Sequence, residues 1–162
     1  AQAEKDARKI VSQAEARAED SVKRLASSSD MRKRKAVLEA KQEVIREVLE
    51  DAYKAVGELD DAAYFAMLEK VLEKYVLPEA GTICFTEKDR KRMPQGYMEK
   101  VYETAKKKGG SLELTETVPE GMDGGFILTY GGIEENCTIK ALFDARREEL
   151  SDKVNRQLFT AV

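Results

Sequence analysis

Histidine and tryptophan are absent from this 162-residue sequence, and cysteine occurs only twice. Without histidine the chain has no side chain that titrates near neutral pH at its ordinary pKa, and it has no Cys/His or Ser/His pair for nucleophilic catalysis. Cys84 and Cys137 lie among apolar residues without metal-ligand spacing. We therefore expect buried reduced thiols, no bound metal, no cofactor and no enzymatic activity.

The sequence also lacks a long apolar run and a strong excess of one charge. No segment approaches the roughly 20 apolar residues of a membrane span, and no signal-peptide pattern opens the chain. A net charge of −3 gives no global attraction to polyanions, which argues against nucleic acid as a partner. We expect a cytoplasmic protein whose membrane contact is indirect. Because the chain begins at Ala1 and already in helical phase, we also expect part of an N-terminal helix to be missing.

Proline and glycine are absent from residues 1 to 56, where the strong helix formers Ala, Glu, Lys, Arg and Gln dominate. This composition predicts one helix of roughly 85 Å, at ~1.5 Å per residue, that ends near Gly57. Ser27 to Asp30 could instead cap a new helix at Met31, but we favour continuity. The predicted domains are accordingly residues 1–57, a long helix, and residues 58–162, a globular α/β domain.

Small and apolar residues recur along the first half of this helix in steps of three and four. Their mean step is about 3.67 residues, which is an eleven-residue repeat and favours a right-handed coiled coil. Such a thin stripe stabilises an isolated helix little, so pairing with another chain is expected. The stripe also includes Ser21, and the predicted partner seam consists of Ala3, Ala7, Ile10, Ala14, Ala18 and Leu25.

The second domain reads as a small sheet packed by helices. A helix capped by Asp60 or Asp61 is followed by a strand, a charged loop, a second helix and a second strand. Those four segments are residues 82–85, 86–96, 97–108 and 111–115. The fold class predicted is therefore α+β: a long N-terminal coiled-coil helix followed by a small mixed domain.

The clearest β signal is a hairpin near the end of the chain. Phe126, Leu128 and Tyr130 alternate with Ile127 and Thr129. Gly131 with Gly132 then supplies the positive φ angles of a tight turn before the second strand, residues 133–137. A last helix is predicted to begin near Thr138 and to place on one face the apolar residues Ile139, Leu142, Phe143, Leu150, Val154 and Leu158. Neither the pair of Gly131 and Gly132 nor the pair of Gly124 and Gly125 matches a P-loop or a dinucleotide-binding fingerprint. A hairpin turn is the better interpretation of Gly131 with Gly132.

The segment GGFILTYGGIEENCTIKALFDARREEL, after a long helix and a mixed domain, resembles the E subunits of the vacuolar-type and archaeal-type rotary ATPases, particularly the prokaryotic members. MRKRKAVLEAKQEVIREVLEDA is similar to the charged helix of that family. Two features depart from the family: its N-terminal helix is usually longer, and Glu135 places a charge within the second hairpin strand.

This resemblance implies a non-catalytic subunit of the peripheral stalk, or stator, of a proton- or sodium-translocating ATPase or ATP synthase. The N-terminal helix would pair with the helical G subunit in a right-handed coiled coil. The C-terminal domain would bind the catalytic head, chiefly its B subunit, and the whole would sit in the cytoplasm, peripheral to the cell membrane.

Two other functions remain open from the residues alone. A stalk protein of a flagellar or type III export ATPase shares the long-helix plan. A nucleic-acid-binding coiled coil could be built around the basic run from Arg32 to Lys35, although serines and alanines surround that run where base-reading or aromatic residues would be expected.

Overall fold

Helix α1 runs without interruption from Gln2 to Gly57 in the computed structural model, which describes residues 2 to 159. The predicted continuity through the serine run is confirmed. Local interactions such as the ion pair of Asp20 with Arg24, one turn later, support the first half of this helix. Exposed pairs of this kind contribute only a few tenths of a kcal/mol each.

Nine further elements follow α1 within the described part of the chain. The helices are α2 (Asp61–Tyr75), α3 (Glu87–Arg92), α4 (Tyr97–Lys107), α5 (Ile139–Ala145) and α6 (Arg147–Phe159). The strands are β1 (Ala80–Phe85), β2 (Ser111–Leu114), β3 (Gly125–Tyr130) and β4 (Ile133–Thr138). The predicted α+β fold class is thereby confirmed, with its long helix, hairpin and closing helices. Residues 1 and 160–162, which the predicted domain ranges include, lie outside the described residues.

The four strands form one mixed sheet in the order β2-β1-β3-β4. β1 and β2 are parallel, and α3 and α4 make the crossover between them. β3 is antiparallel to both of its neighbours, with Phe126 opposite Phe85 on one side and Cys137 on the other. β4 is an edge strand, and Glu135 lies on it opposite Leu128 and partly exposed. An edge position tolerates such a charge because solvent can reach it.

The core lies between one face of the sheet and helices α2 and α4. Asp60 caps α2 by accepting a hydrogen bond from the Ala63 amide at 2.9 Å, and the helix then buries one apolar side against the sheet. Phe85 and Phe126 point into the same layer, with ring centroids 5.8 Å apart. The fully buried large side chains are Phe65, Leu68, Leu72, Ile83, Phe85, Val101, Phe126, Leu128, Tyr130 and Cys137.

The predicted charged loop of residues 86–96 contains a short helix, α3, so this part of the prediction was wrong. The Thr86 hydroxyl accepts a hydrogen bond from the Asp89 amide at 3.0 Å, which caps the new helix. Three basic residues occupy its last turn, where cations complement the helix dipole.

The closing helix was also predicted incorrectly as one continuous element. Thr138 does cap it, through its hydroxyl and the Ala141 amide at 3.2 Å, but α5 ends after Ala145. Arg146 leaves helical geometry with φ −113° and ψ 10°, and α6 starts at the next residue. The short α5 contacts both β4 and α6.

By its internal contacts the chain forms two units, one up to Ile45 and one from Arg46 onward. All the buried side chains among the described residues belong to the second unit. Our assignment of residues 1–57 to partner pairing and of residues 58–162 to head binding stays a prediction.

Candidate partner-binding surfaces

The six predicted seam residues all lie on α1 and all are exposed. Ile10 is 66% exposed and Leu25 is 65% exposed, which is unusual for large apolar side chains in a folded chain. Steps of three and four residues bring the six side chains onto one side of the helix. The packing of a partner helix on this side of α1 stays a prediction.

Two exposed valines widen this stripe, and the sequence reasoning missed them. Val11 and Val22 are 56% and 65% exposed, and each directly follows a residue of the stripe, Ile10 and Ser21 respectively. They are spaced by the same eleven residues as the repeat itself, which is the signal that could have identified them. The exposed apolar face of α1 is therefore broader than the predicted seam.

The basic run on α1 is exposed and partly engaged along its own helix. Arg32 donates a hydrogen bond to the Ser28 hydroxyl at 3.3 Å, and the Lys35 ammonium lies 3.7 Å from a carboxylate oxygen of Glu39. Each contact joins two residues that lie one helical turn apart. They are typical of a solvated charged face rather than of a patch organised to hold phosphates.

Gly131 and Gly132 lie between β3 and β4, with φ angles of 55° and 109°. Nothing stands within 4 Å of where a Cβ would be at either position. The two residues thus make the hairpin turn without approaching any other group.

The other glycine pair lies at the start of β3 and serves the fold. The Gly125 amide donates to the Tyr64 hydroxyl at 2.8 Å and to a carboxylate oxygen of Asp89 at 3.1 Å. The Tyr64 hydroxyl in turn donates to the same Asp89 oxygen at 3.1 Å. The φ angle of Gly125 is 84°, and an added Cβ would stand 2.5 Å from the Cys137 carbonyl oxygen. This buried network joins α2, α3 and β3.

The electrostatics of this network favour structure over chemistry. Burial, followed by the charge of Asp89, raises the pKa of Tyr64 to about 12. The Arg92 guanidinium stacks over the Tyr64 ring at 4.1 Å, and its Nε lies 3.1 Å from a carboxylate oxygen of Asp61. The tyrosine hydroxyl therefore stays protonated and holds its partners in place.

The two cysteines are free thiols and both are buried. Burial raises the pKa of Cys137 to about 12 and raises that of Cys84 as well. A reactive thiol needs a depressed pKa and access to solvent, and these two have the opposite. Among residues 2 to 159, no cluster of three or more cysteine or acidic side chains could hold a metal ion. No helix within that range is long and apolar enough to cross a membrane.

Comparisons with known proteins agree with the resemblance seen in the sequence. The model of the family described as ATP synthase (E/31 kDa) subunit matches residues 1–159. The V-type ATP synthase E subunit of Clostridium perfringens is 31% identical over 126 residues, which cover 78% of this chain and 64% of that protein. The V-type ATP synthase E subunit of Clostridium botulinum is 28% identical over 145 residues, covering 88% and 72%.

The V-type proton ATPase E subunit of Thermoanaerobacter pseudethanolicus is 31% identical over 127 residues, covering 77% of this chain and 63% of its own length. In the alignments with the Clostridium perfringens and Thermoanaerobacter proteins, this chain spans a little less than two thirds of the relative.

Proposed function

We propose that this chain, which belongs to the family of ATP synthase E/31 kDa subunits, is the non-catalytic E subunit in the peripheral stalk of a V-type or A-type rotary ATPase or ATP synthase. In this role it tethers the catalytic head to a membrane sector that moves protons or sodium ions. It resists the torque that the rotor exerts on the head. The protein would lie in the cytoplasm, held at the cell membrane only through the complex.

The observation that carries this proposal is the exposure of the side chains of α1. From Gln2 to Ala40 every described side chain of this helix is exposed. Isolated helices gain little stability from backbone hydrogen bonds alone, and most helical stability in proteins comes from packing an apolar face. A helix that keeps Ile10, Val11, Val22 and Leu25 in water is best explained by a partner helix that covers them. The partner we propose is a helical protein of the G-subunit kind.

The unit that begins at Arg46, called the compact unit below, would supply the other end of the tether. Its apolar side chains form a buried core, and its two cysteines are buried with raised pKa values. Among the described residues no cluster of side chains could hold a metal ion. These observations favour a binding role over an enzymatic one. We propose that it binds the catalytic head, chiefly the B subunit. The sequence similarity to V-type ATP synthase E subunits supports this role over that of an export-ATPase stalk.

The experiment is affinity capture of the chain from a lysate of its native host, followed by mass spectrometry of the retained proteins at moderate salt. We expect the wild-type chain to retain a small helical subunit together with ATPase head subunits. The Ile10→Asp/Leu25→Asp variant should lose the small helical subunit because pairing would bury unpaired charge.

The matched control is the Ser12→Asp/Ser27→Asp variant. Each control residue stands two positions beyond its seam counterpart, which places it on another side of α1. This variant should retain every partner. Retention of the helical subunit by the seam variant would contradict the proposed pairing, and recovery of nucleic acid alone by the wild-type chain would contradict the stalk function altogether.

A further inference from the structure

Four consecutive residues in the middle of α1, Ser27 to Asp30, are weak helix formers and are called the serine run below. All four are helical and exposed. Serine and aspartate stabilise a helix less than the surrounding Ala, Glu, Lys and Arg do, because their side chains compete for backbone hydrogen bonds. Every described side chain from Gln2 to Ala40 is exposed, so packing within the described chain offsets little of this cost.

The contacts around the serine run are local. Arg32 donates a hydrogen bond to the Ser28 hydroxyl at 3.3 Å, one turn along the helix. The ion pair of Lys35 with Glu39, at 3.7 Å, follows the run and also spans one turn. Exposed contacts of this type stabilise a helix only slightly. The helix through the run therefore depends mainly on its backbone hydrogen bonds, which alone stabilise a helix little.

The same four residues are well suited to start a helix. A serine, threonine or aspartate before the first turn accepts a hydrogen bond from the amide three residues on, and α2, α3 and α5 begin in this way. In α3 the Thr86 hydroxyl accepts from the Asp89 amide at 3.0 Å. Ser27 and Asp30 repeat this pattern of hydroxyl and acid at the same spacing. With Ser27 as the cap, Asp30 would fall in the first turn, where an acid is favourable.

The part of α1 that follows the serine run is uninterrupted and anchored. Residues 31–50 contain no serine, threonine, aspartate, asparagine, glycine or proline, so the sequence offers no alternative start there. From Arg46 onward α1 belongs to the compact unit, where the Tyr53 ring meets the Phe143 ring edge to face at 5.4 Å. A helix that begins at the run would therefore keep its packing at the other end.

We propose that the serine run is a latent N-terminal cap that divides α1 into two sections. The free chain exchanges between the full helix and a shorter helix that begins after Ser27, with residues 2–26 unfolded. The run favours the shorter helix twice, because it weakens the helix that passes through it and caps the helix that remains. A chain that covers the exposed apolar residues before the run, such as Ile10 and Val22, binds the full helix and shifts the population toward it. The identity of that partner rests on the proposed function, whereas the two states of the free chain do not.

The test measures the helix population of each residue from the Cα chemical shifts of the free, isotope-labelled full chain in solution. We expect a step at the serine run, with residues 2–26 at least about twofold less helical than residues 31–40. In the Ser27→Ala/Ser28→Ala/Ser29→Ala/Asp30→Ala variant the step should disappear, because alanine stabilises the helix interior and does not cap. The helix population should then decline gradually toward Gln2.

The matched control is the Asp6→Ala/Ser12→Ala/Asp20→Ala/Ser21→Ala variant, which replaces the same two kinds of residue before the serine run and leaves the run intact. Its helix population before the run should rise, since alanine is the better helix former. The step should stay at residues 27–30.

Three results would overturn the proposal. The wild-type helix population could change smoothly through residues 27–30, the step could persist in the variant that lacks the run, or the control variant could lose the step. Because the measurement uses the free chain alone, none of these results would decide the proposed partner pairing, which the capture experiment tests separately.

Discussion

The two units of this chain differ in where their apolar side chains lie. Along α1 from Gln2 to Ala40 every described side chain is exposed, large apolar ones included. In the unit that begins at Arg46, by contrast, side chains such as Phe126 and Leu68 are completely buried. The first region has no core of its own, and the second has one that is complete. We therefore propose that the function of the first region depends on other chains, whereas the second region folds around its own core.

The largest difference between the two units should appear when one apolar side chain is truncated in each. Phe126 is 0% exposed and pairs across the sheet with Phe85 and Cys137. Phe126→Ala should lower the free energy of unfolding by about 3–5 kcal/mol because it removes a buried ring and leaves a cavity. Leu25→Ala, on exposed α1, should change it by less than about 0.5 kcal/mol. Urea unfolding of the isolated chain, followed by tyrosine fluorescence, measures both.

Equal losses in the two variants would mean that α1 is already packed in the free chain. That result would remove the need for a partner helix, and with it the main support for the stalk assignment.

A smaller effect concerns the pH dependence of the compact unit. Burial raises the pKa of Cys137 from an ordinary value of 9.0 to about 12. The folded state therefore favours the neutral thiol, so its contribution to stability is complete below pH 9 and is lost as pH rises toward 12. The slope in this window should be on the order of 1 kcal/mol per pH unit. Urea unfolding under reducing conditions from pH 8 to pH 11 measures it.

The Cys137→Ala variant is the control for this pH dependence, because it lacks the titrating thiol in the same buried site. Its stability should fall less steeply above pH 9 than that of the wild type, the remaining slope coming from groups such as Tyr64, whose pKa is also raised. Parallel slopes in the two proteins would show that the Cys137 thiol reaches solvent in the folded state.

The sequence predicted the elements whose signals are local. The run without proline or glycine predicted α1, and the Gly131–Gly132 pair predicted the hairpin position between β3 and β4. Helix α3 was missed because its six residues are all charged and show no apolar periodicity. A usable signal was present, since Thr86 precedes Asp89 by three residues, the spacing of an N-terminal cap.

The break between α5 and α6 could not be predicted in the same way. The residues around Arg146 are good helix formers, and Phe143 and Leu150, seven apart, would share one face of a continuous helix. No glycine or proline marks the end of α5. Helix α5 contacts β4 as well as α6, and tertiary contacts of this kind routinely override local propensity.

The same distinction between local signals and tertiary contacts applies to the candidate surfaces. The seam on α1 follows from periodicity within one element, so the sequence alone could propose it. The buried network of Tyr64, Asp89 and Gly125 was missed, because the sequence does not state that α2, α3 and β3 meet.

The central claim is that α1 from Gln2 to Ala40 is a partner-binding helix that gains its packing only in a complex. Hydrogen–deuterium exchange tests it most directly, on the free chain and on the same chain within the complex captured from its host. In the free chain we expect rapid exchange over residues 2–40 and strong protection of β1, β3 and α2. In the complex, residues 2–40 should gain protection. Unchanged exchange over residues 2–40 would contradict the claim.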